Sequence, residues 1–231
     1  MNIEKDLVIA ILKLTKNASV SNDLIIKESK TSSVIGHKLI GKLHNHGLVY
    51  LKDKVIVVNS AKRLKLAFHA LQLGADLERV SRFLDWKEFE SIAAVAFGRN
   101  QYVVQKNLRF KSSERRWEID IVGSKKPFVV CVDCKHWRYG MYPSAVRRVV
   151  EAQVKRTSAL ADCMPRLADE IGCTLWSKIK LVPTILSLAT ARCRFYEGVP
   201  IVSVLQLQDF LGQLPAYANS MKHFLVQNLP D

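Results

Sequence analysis

Three charged residues stand inside runs of apolar residues, where a folded chain would bury them. Asp120 lies between two isoleucines, and Asp133 follows an apolar run that begins at Phe128. Lys135 comes two residues later, so on an extended strand it shares a face with Asp133. Two carboxylates that lie close together can bind one divalent cation, and without it their repulsion and desolvation are costly. The spacing therefore predicts a metal site at these residues.

A β-hairpin is the element that would hold these charged residues together. Residues 117–122 and 128–137 are rich in strand-forming residues, and residues 123–127 are typical of a turn. If the turn centres near Lys125, Asp120 pairs with a residue two or three positions before Asp133. The two acidic residues are then diagonal neighbours, at roughly 7–8 Å between Cα atoms.

The elements around this hairpin predict an α/β domain. Their order is α-β-β-β-α-β-β-α, which suits a mixed central sheet with helices on both faces. The predicted elements are a helix over 86–97, strands over 102–110, 117–122 and 128–137, a long helix over about 144–168, strands over 181–191 and 201–205, and a closing helix that begins at 207–211.

The charged residues and their order resemble the PD-(D/E)XK nuclease superfamily. Asp120 is followed after thirteen positions by Asp133-Cys-Lys135, and Glu90 lies on the preceding helix. The resemblance covers about residues 86–210 and is nearest to Mrr-type restriction endonucleases and archaeal Holliday-junction resolvases. The chain has Asp at position 133, where these branches usually have Glu, and it lacks the proline that names the motif.

The resemblance implies a metal-dependent DNA endonuclease that uses Mg²⁺ or Mn²⁺. The implied metal ligands are Asp120, Asp133, the backbone carbonyl of Cys134, and Glu90 at a second metal or a coordinated water. The implied catalytic residues are Glu90, Asp120, Asp133, Lys135 and Gln153. In this family the metal activates a water and polarises the scissile phosphate. Lys135 would orient that water and offset the negative charge of the transition state.

Residues 1–60 predict a separate domain of three short helices and a β-hairpin. Ser21 suits the N-cap of the second helix, Ser32 or Ser33 suits that of the third, and Gly47 ends the third helix. The hairpin joins residues 48–51 to residues 55–58. The third helix is expected to bury a stripe made of Val34, Ile35, Leu39, Ile40 and Leu43.

This arrangement resembles the winged helix-turn-helix family, which implies that the third helix enters the major groove of DNA. The expected DNA contacts of this domain are Ser33, His37, Lys38 and Lys42 on the helix and Lys52 and Lys54 in the wing. A winged helix that binds another protein is the alternative. A helical connector is predicted over 61–84, and the nuclease-like domain occupies 85–231.

The net charge of the chain favours a nucleic-acid partner. Lys and Arg number 35 against 21 Asp and Glu, which gives a net charge of +14. Residues 106–156 alone hold 13 basic and 5 acidic side chains. The basic residues expected to contact DNA near the predicted metal site are Arg115, Arg116, Arg138, Arg147 and Arg148. The alternative is a generally basic surface.

Composition excludes several classes of protein. With 231 residues, of which 48% are hydrophobic, the chain is neither wholly disordered nor a small disulfide scaffold. The longest uncharged run, between Asp209 and Lys222, has 12 residues, too few for a membrane helix. Five cysteines without framework spacing favour free thiols in a reducing cytoplasm. The sequence thus predicts a cytoplasmic protein that does not bind membranes. It allows a homodimer as the oligomeric state.

Two functional hypotheses remain open at this point. The first is a metal-dependent DNA endonuclease in restriction or in DNA repair and recombination. The second is a non-catalytic DNA-binding protein, a regulator or architectural factor, with an inactive nuclease-like domain. Structural alternatives also remain: Asp133 and Lys135 as an edge-strand ion pair, Glu118 or Asp120 as a solvated strand charge, and Glu90 as a solvated helix residue.

Overall fold

The structure is a computed structural model, and it describes residues 2–16, 18–135, 143–188 and 193–227. The chain divides into two compact units, Met1–Ser91 and Ile92–Asp231. Within the described ranges, no helix has the length and apolar character that a membrane span requires.

The first unit combines helices with a small antiparallel sheet. Three strands of its described residues pair in the order β1-β3-β2. Its elements in chain order are α1 (Ile3–Leu14), β1 (Val20–Ser21), α2 (Asn22–Glu28), α3 (Ser33–Asn45), β2 (Tyr50–Lys52), β3 (Val55–Val57), α4 (Ser60–Gln72), α5 (Leu77–Ser81) and the start of α6 (Trp86–Arg99). The Ser21 hydroxyl caps α2, as predicted, by accepting from the Leu24 amide at 3.4 Å. The predicted helices and hairpin are present, whereas the short strand β1 was not predicted.

The buried face of α3 differs from the predicted stripe. Gly36 and Ile40 are buried, whereas Val34 is 82% exposed and Ile35 is 42% exposed. A Cβ atom at Gly36 would lie 2.5 Å from Cγ1 of Ile26, so α2 and α3 approach each other most closely at this glycine. The prediction that Val34 and Ile35 are buried is wrong, because this close approach places them on the outer face of α3.

A buried arginine ties together three parts of the first unit. Arg63 on α4 is 4% exposed, and its Nε lies 2.9 Å from Oε1 of Glu88. Its Nη1 also donates to the Leu12 carbonyl and to the Thr15 hydroxyl. Glu88 and Asp85 each accept a hydrogen bond from the other's backbone N–H, which forms a capping box at the start of α6.

The second unit is a mixed α/β sheet flanked by helices, which confirms this part of the predicted fold class. Seven strands of the described residues form the order β4-β5-β6-β7-β9-β8, and β10 pairs with β7. The pairs β6–β7 and β7–β9 are parallel, and the other pairs are antiparallel. The elements are β4 (Val103–Ser112), β5 (Arg115–Lys125), β6 (Phe128–Lys135), α7 (Pro143–Leu167), β7 (Lys178–Ser187), β8 (Phe195–Tyr196), β9 (Val199–Ser203), α8 (Leu207–Tyr217) and β10 (Phe224–Gln227). The strands β8 and β10 were not predicted.

Helices cover both faces of this sheet. Val129 and Cys131 of β6 lie in the core cluster that α7 completes. On the other face, Gly123 of β5 is so close to Phe97 of α6 that a Cβ atom would lie 2.3 Å from the ring. Val130, which pairs with Gly123, points to this second face because strand side chains alternate. The hairpin that carries the predicted site is therefore buried between two helices.

The turn between β5 and β6 is shorter than predicted. It consists of Lys126 and Pro127 alone, since Lys125 already pairs with Phe128. Proline lacks the N–H that a ladder needs and has a fixed φ, which suits it to the turn. The ladder ends at Ile121 opposite Val132, so Asp120 and Asp133 are the next residues of the two strands. The predicted register, in which Asp120 pairs near Val130 or Cys131, is wrong, because Val130 and Cys131 pair with Gly123 and Val122.

Candidate active site

Asp120 lies at an irregular point of β5. Ile119 and Val122 both belong to the core cluster under α7, although residues three apart lie on opposite faces of a regular strand. Asn107, at the matching point of β4, has φ of 51°. The half-buried Asp120 carboxylate accepts a hydrogen bond from the Cys134 N–H at 2.7 Å. The irregularity thus turns Asp120 toward the strand that carries Asp133.

Asp133 is a buried carboxylate with a cation at each oxygen. It is 4% exposed; its Oδ1 lies 3.0 Å from Arg156 Nη1 and its Oδ2 lies 2.7 Å from Lys135 Nζ. The lysine contact has the distance of an ion pair without hydrogen-bond geometry, and Oδ2 accepts no hydrogen bond within the described part of the chain. Asp133 and Lys135 do form the ion pair of the structural alternative. They do not form it on an edge strand, because β6 lies between β5 and β7.

The electrostatics of the pair favour an added positive charge. Burial raises the pKa of Asp120, and the negative charge of Asp133 raises it further. The hydrogen bond from Cys134 and the charges of Lys135 and Arg156 act in the opposite direction without overcoming this effect. The two carboxylates are therefore close enough to repel each other. A divalent cation bound to both would offset the burial and the repulsion together.

Gln153 supports the site from the inner face of α7. Its side chain is fully buried, and its Nε2 donates to the Cys131 carbonyl at 2.7 Å. Its Oε1 accepts from Arg156 Nη1 at 3.4 Å. Gln153 therefore fixes the distance between α7 and β6 and orients the arginine that contacts Asp133.

Two of the predicted metal ligands stay predictions. Glu90 is 4% exposed on α6 and belongs to the first unit, whereas the other predicted catalytic residues belong to the second. The alternative of a solvated Glu90 is wrong. The N–H of Cys134 donates to Asp120 Oδ2 at 2.7 Å, and its carbonyl stays a predicted ligand. Across the described residues, no group of three or more His, Cys, Asp and Glu side chains could hold a metal ion.

A basic groove of about 430 Å³ lies between the β4–β5 hairpin and α7. Its charged and aromatic lining residues are Arg115, Arg116, Trp117, Glu118, Arg148, Glu151, Lys155 and Arg156. Both acids of this set are already paired, Glu118 with Arg109 at 3.0 Å and Glu151 with Arg147 at 2.7 Å. The sequence leaves open whether Glu118 or Asp120 is a solvated strand charge, and the exposed residue of the two is Glu118. Asp120 and Asp133 do not line this groove, and Arg156, which lines it and contacts Asp133, connects it to the carboxylates.

The predicted DNA contacts of the second unit divide into three groups. Arg115, Arg116 and Arg148 line the groove, and the Arg115 guanidinium lies 4.2 Å from the centre of the Trp117 ring. The exposed Arg147 is held by Glu151, whose hydrogen bond and charge raise the pKa of the guanidinium. Arg138 lies outside the described residues.

The predicted DNA contacts of the first unit are exposed, with one difference in their bonding. Ser33, His37 and Lys38 lie on the outer face of α3, and the His37 ring is bonded to the Ser33 carbonyl at 2.8 Å. Lys42 instead pairs with Glu4 of α1 at 2.7 Å. Lys52 and Lys54 are exposed at the end of the β2–β3 hairpin.

Sequence reasoning places Arg156 among the basic residues around the site but does not reveal its contact with Asp133. Its contact with Asp133 joins residues 23 positions apart, which no local pattern reveals. One signal was available: Gln153 and Arg156 are three apart on a helix, so a buried Gln153 places Arg156 beside it.

Comparisons with known proteins give distant likenesses. No known family model matches the chain. A protein from Archaeoglobus fulgidus, described only as "Uncharacterized protein", is 27% identical over 133 residues, which cover 57% of this chain and 93% of that protein. The crystal structure of protein VC1899 from Vibrio cholerae aligns over 94% of this chain with 14% identity and a TM-score of 0.40. This chain spans 52% of that structure's chain. Neither likeness assigns a family or an activity.

Proposed function

We propose that this chain is a metal-dependent DNA endonuclease whose second unit hydrolyses phosphodiester bonds. The observation that carries the proposal is the placement of Asp120 and Asp133 next to the last β5–β6 pair, Ile121 with Val132, with Lys135 at 2.7 Å from Asp133. A buried pair of acids beside a lysine, joined to a basic groove through Arg156, is unfavourable for folding alone. It suits a site that binds a cation and a phosphate together.

The donor set of the site fits Mg²⁺ or Mn²⁺. Both are hard cations that prefer carboxylate oxygens, and Mg²⁺ is commonly held by one or two carboxylates together with substrate phosphates. Asp133 Oδ2 is buried and lies 2.7 Å from the Lys135 ammonium, so a metal ion at this oxygen would share it with the lysine. The residues that would hold the ion are Asp120 and Asp133. When bound, the ion would lower the pKa of a water and polarise the scissile phosphate.

The remaining side chains have roles that follow from their contacts. Lys135 is one-quarter exposed, so its charge is available to a phosphate that approaches Asp133 and offsets the negative charge of the transition state. The Cys134 N–H fixes the orientation of Asp120. Arg115 and Arg148 in the groove would neutralise phosphates on either side of the cleaved bond, which makes DNA binding strongly dependent on salt.

The element order of both units supports the two family resemblances. The second unit has a helix, three antiparallel strands, and a long helix that crosses to a parallel strand, as the PD-(D/E)XK resemblance implies. The first unit opens with three helices and a β-hairpin, as the winged-helix resemblance implies, and the short strand β1 is an addition to that order. In this proposal the outer face of α3 enters the major groove and the β2–β3 hairpin contacts the backbone. The exposed Val34 would then offer an apolar contact to a thymine methyl group.

Cleavage of supercoiled plasmid with Mg²⁺ or Mn²⁺ tests the proposal. We expect wild-type protein to nick or linearise the plasmid. Asp133→Asn and Lys135→Met should lower the rate at least a hundredfold. The matched control is Glu114→Gln in the β4–β5 turn, where the side chain is 92% exposed, and this variant should cleave at the wild-type rate. Equal cleavage by all four proteins would indicate a contaminant and overturn the proposal.

A non-catalytic DNA-binding protein is the second candidate function. The observation in its favour is that both oxygens of Asp133 already contact a cation of the chain itself. An absence of cleavage on plasmid, forked and single-stranded substrates, together with salt-dependent DNA binding, would support this candidate instead.

A further inference from the structure

Arg156 connects the carboxylates of the proposed site with the basic groove. Its Nη1 contacts Asp133 Oδ1 at 3.0 Å, and its side chain also lines the basic groove. Its positive charge reaches Asp120 as well, where it acts to lower the pKa of that carboxyl. The guanidinium thus occupies the position from which a positive charge stabilises both carboxylates.

A divalent cation at Asp133 would meet this guanidinium. Two cations beside the same carboxylate repel each other. The guanidinium also forms a hydrogen bond to Oδ1, an oxygen that a metal ion would need as a ligand. The Arg156 side chain can adopt another position, because it is 29% exposed and lines the groove. Its second contact, to Gln153 Oε1 at 3.4 Å, is long and therefore weak.

We propose that Arg156 is a built-in competitor of the divalent cation at Asp133 and turns into the groove when the cation binds. This inference rests on the proposed function, since it needs a metal ion at Asp133. In the groove the guanidinium can bind a phosphate in a bidentate manner. The side chain that opposes metal binding in the free protein would then contact the substrate in the loaded complex.

Titration calorimetry of the full chain with Mn²⁺ after removal of bound metals tests the inference without measuring cleavage. Arg156→Met removes the competing charge and keeps an apolar stem, so we expect Mn²⁺ to bind about tenfold more tightly than to wild type, the order expected for loss of one charge-assisted hydrogen bond. Arg156→Lys keeps the charge on a shorter side chain, and its affinity should lie between these two.

Two controls separate competition from general electrostatics. Lys155→Met removes a charge from the adjacent position of α7 in the same groove, and should change the affinity less than about threefold because exposed charges are screened. Asp133→Asn should abolish binding in the wild-type and Arg156→Met backgrounds alike, which locates the ion at Asp133.

The outcomes distinguish this inference from the proposed function. Wild-type binding that requires Asp133, but with equal or weaker affinity in both Arg156 variants, overturns the competitor role and leaves the metal site intact. The same holds if Lys155→Met tightens binding as much as Arg156→Met. If neither wild type nor Arg156→Met binds Mn²⁺ in a way that depends on Asp133, the proposed function fails and the inference fails with it.

Discussion

The molecule contains two buried ionic clusters that are built in opposite ways. In the first unit, Arg63 and Glu88 have side chains that are only 5% and 3% exposed, and the arginine also bonds a backbone carbonyl and a hydroxyl. In the second unit, Asp133 is as deeply buried, but its partners Lys135 and Arg156 are 25% and 29% exposed. The first cluster is closed to solvent, and the second opens onto a groove.

The difference shows how a structural ion pair can be told from a candidate site. Glu88 has its oxygens bonded to Arg63 and to a backbone N–H, as buried charges in a stable core require. Asp133 has its oxygens in contact with the partly exposed Lys135 and Arg156, and its negative charge acts on a second carboxylate, Asp120. A buried carboxylate whose cations reach solvent, next to a carboxyl with a raised pKa, is typical of binding and catalytic positions.

Breaking the closed cluster should have the largest effect on stability. Arg63→Met leaves Glu88 buried without its cation, and we expect a loss of about 3–5 kcal/mol in the free energy of unfolding. Urea denaturation of the full chain, followed by circular dichroism, measures the loss. The control is Arg82→Met, whose partner is Glu78 and whose side chain is 53% exposed, with an expected loss below about 1 kcal/mol. Equal losses in the two variants would mean that Arg63 contributes no more than a surface charge.

Breaking the open cluster should affect activity more than stability. Asp133→Asn removes the carboxylate, but Lys135 and Arg156 can turn toward solvent, so we expect less than about 2 kcal/mol of destabilisation. Cleavage should fall at least a hundredfold, which corresponds to about 2.7 kcal/mol of transition-state stabilisation. Denaturation and plasmid cleavage on one preparation measure both values. A loss of stability as large as that of Arg63→Met would show that Asp133 is chiefly structural.

The sequence predicts the hairpin that carries the open cluster, but it does not predict the arginine contacts that distinguish the two clusters. The alternation of charge and apolar residues predicts both acids and the lysine on one hairpin, and the structure has that hairpin. The register is wrong because five residues could form the turn and only two do so. Arg63 looks like a surface charge among lysines, although Leu66 and Ala67 three and four positions later place it on the buried stripe of α4. The pairing of Asp133 with Arg156 depends on the packing of α7 on β6, which local sequence does not encode.

Substitutions at two tightly packed glycines, with a third glycine as control, should have smaller effects on stability. A Cβ atom would lie 2.3 Å from the buried Phe97 ring at Gly123, and 2.5 Å from Ile26 at Gly36. Gly123→Ala should cost about 1–3 kcal/mol of unfolding free energy, because the ring has no room to move. Gly36→Ala should cost less, since alanine in a helix regains about 1 kcal/mol relative to glycine. Gly212→Ala on α8 meets no atom within 4 Å and should be neutral or stabilising. Thermal unfolding ranks the three variants, and a larger loss at Gly36 would contradict the argument.

The smallest effects expected are opposite responses of the two units to pH. At Glu4 burial favours a higher pKa, but hydrogen bonds and charges from Lys42 and His69 outweigh it, so the pKa lies below its usual 4.5. The unfolded chain then binds more protons than the folded chain. The stability that Glu4 contributes is present above pH 4.5 and is lost as the pH falls through its folded pKa. The destabilisation caused by Glu4→Gln should therefore shrink as the pH is lowered below 4.5.

Asp120 should show the reverse dependence. Burial and the charge of Asp133 raise its pKa above the usual 3.8, so the folded chain binds more protons than the unfolded chain. Stability linked to Asp120 is full below pH 3.8 and declines as the pH rises through the folded pKa. Asp120→Asn should therefore gain stability relative to wild type as the pH rises from 3.8 toward 7. Urea midpoints in EDTA between pH 3.5 and 7 measure both variants, because chelation keeps divalent cations from stabilising the wild type. Slopes of the same sign for Glu4→Gln and Asp120→Asn would mean that Asp120 is stabilised as an anion by its cations, and that no unbalanced negative charge is there for a metal ion to offset.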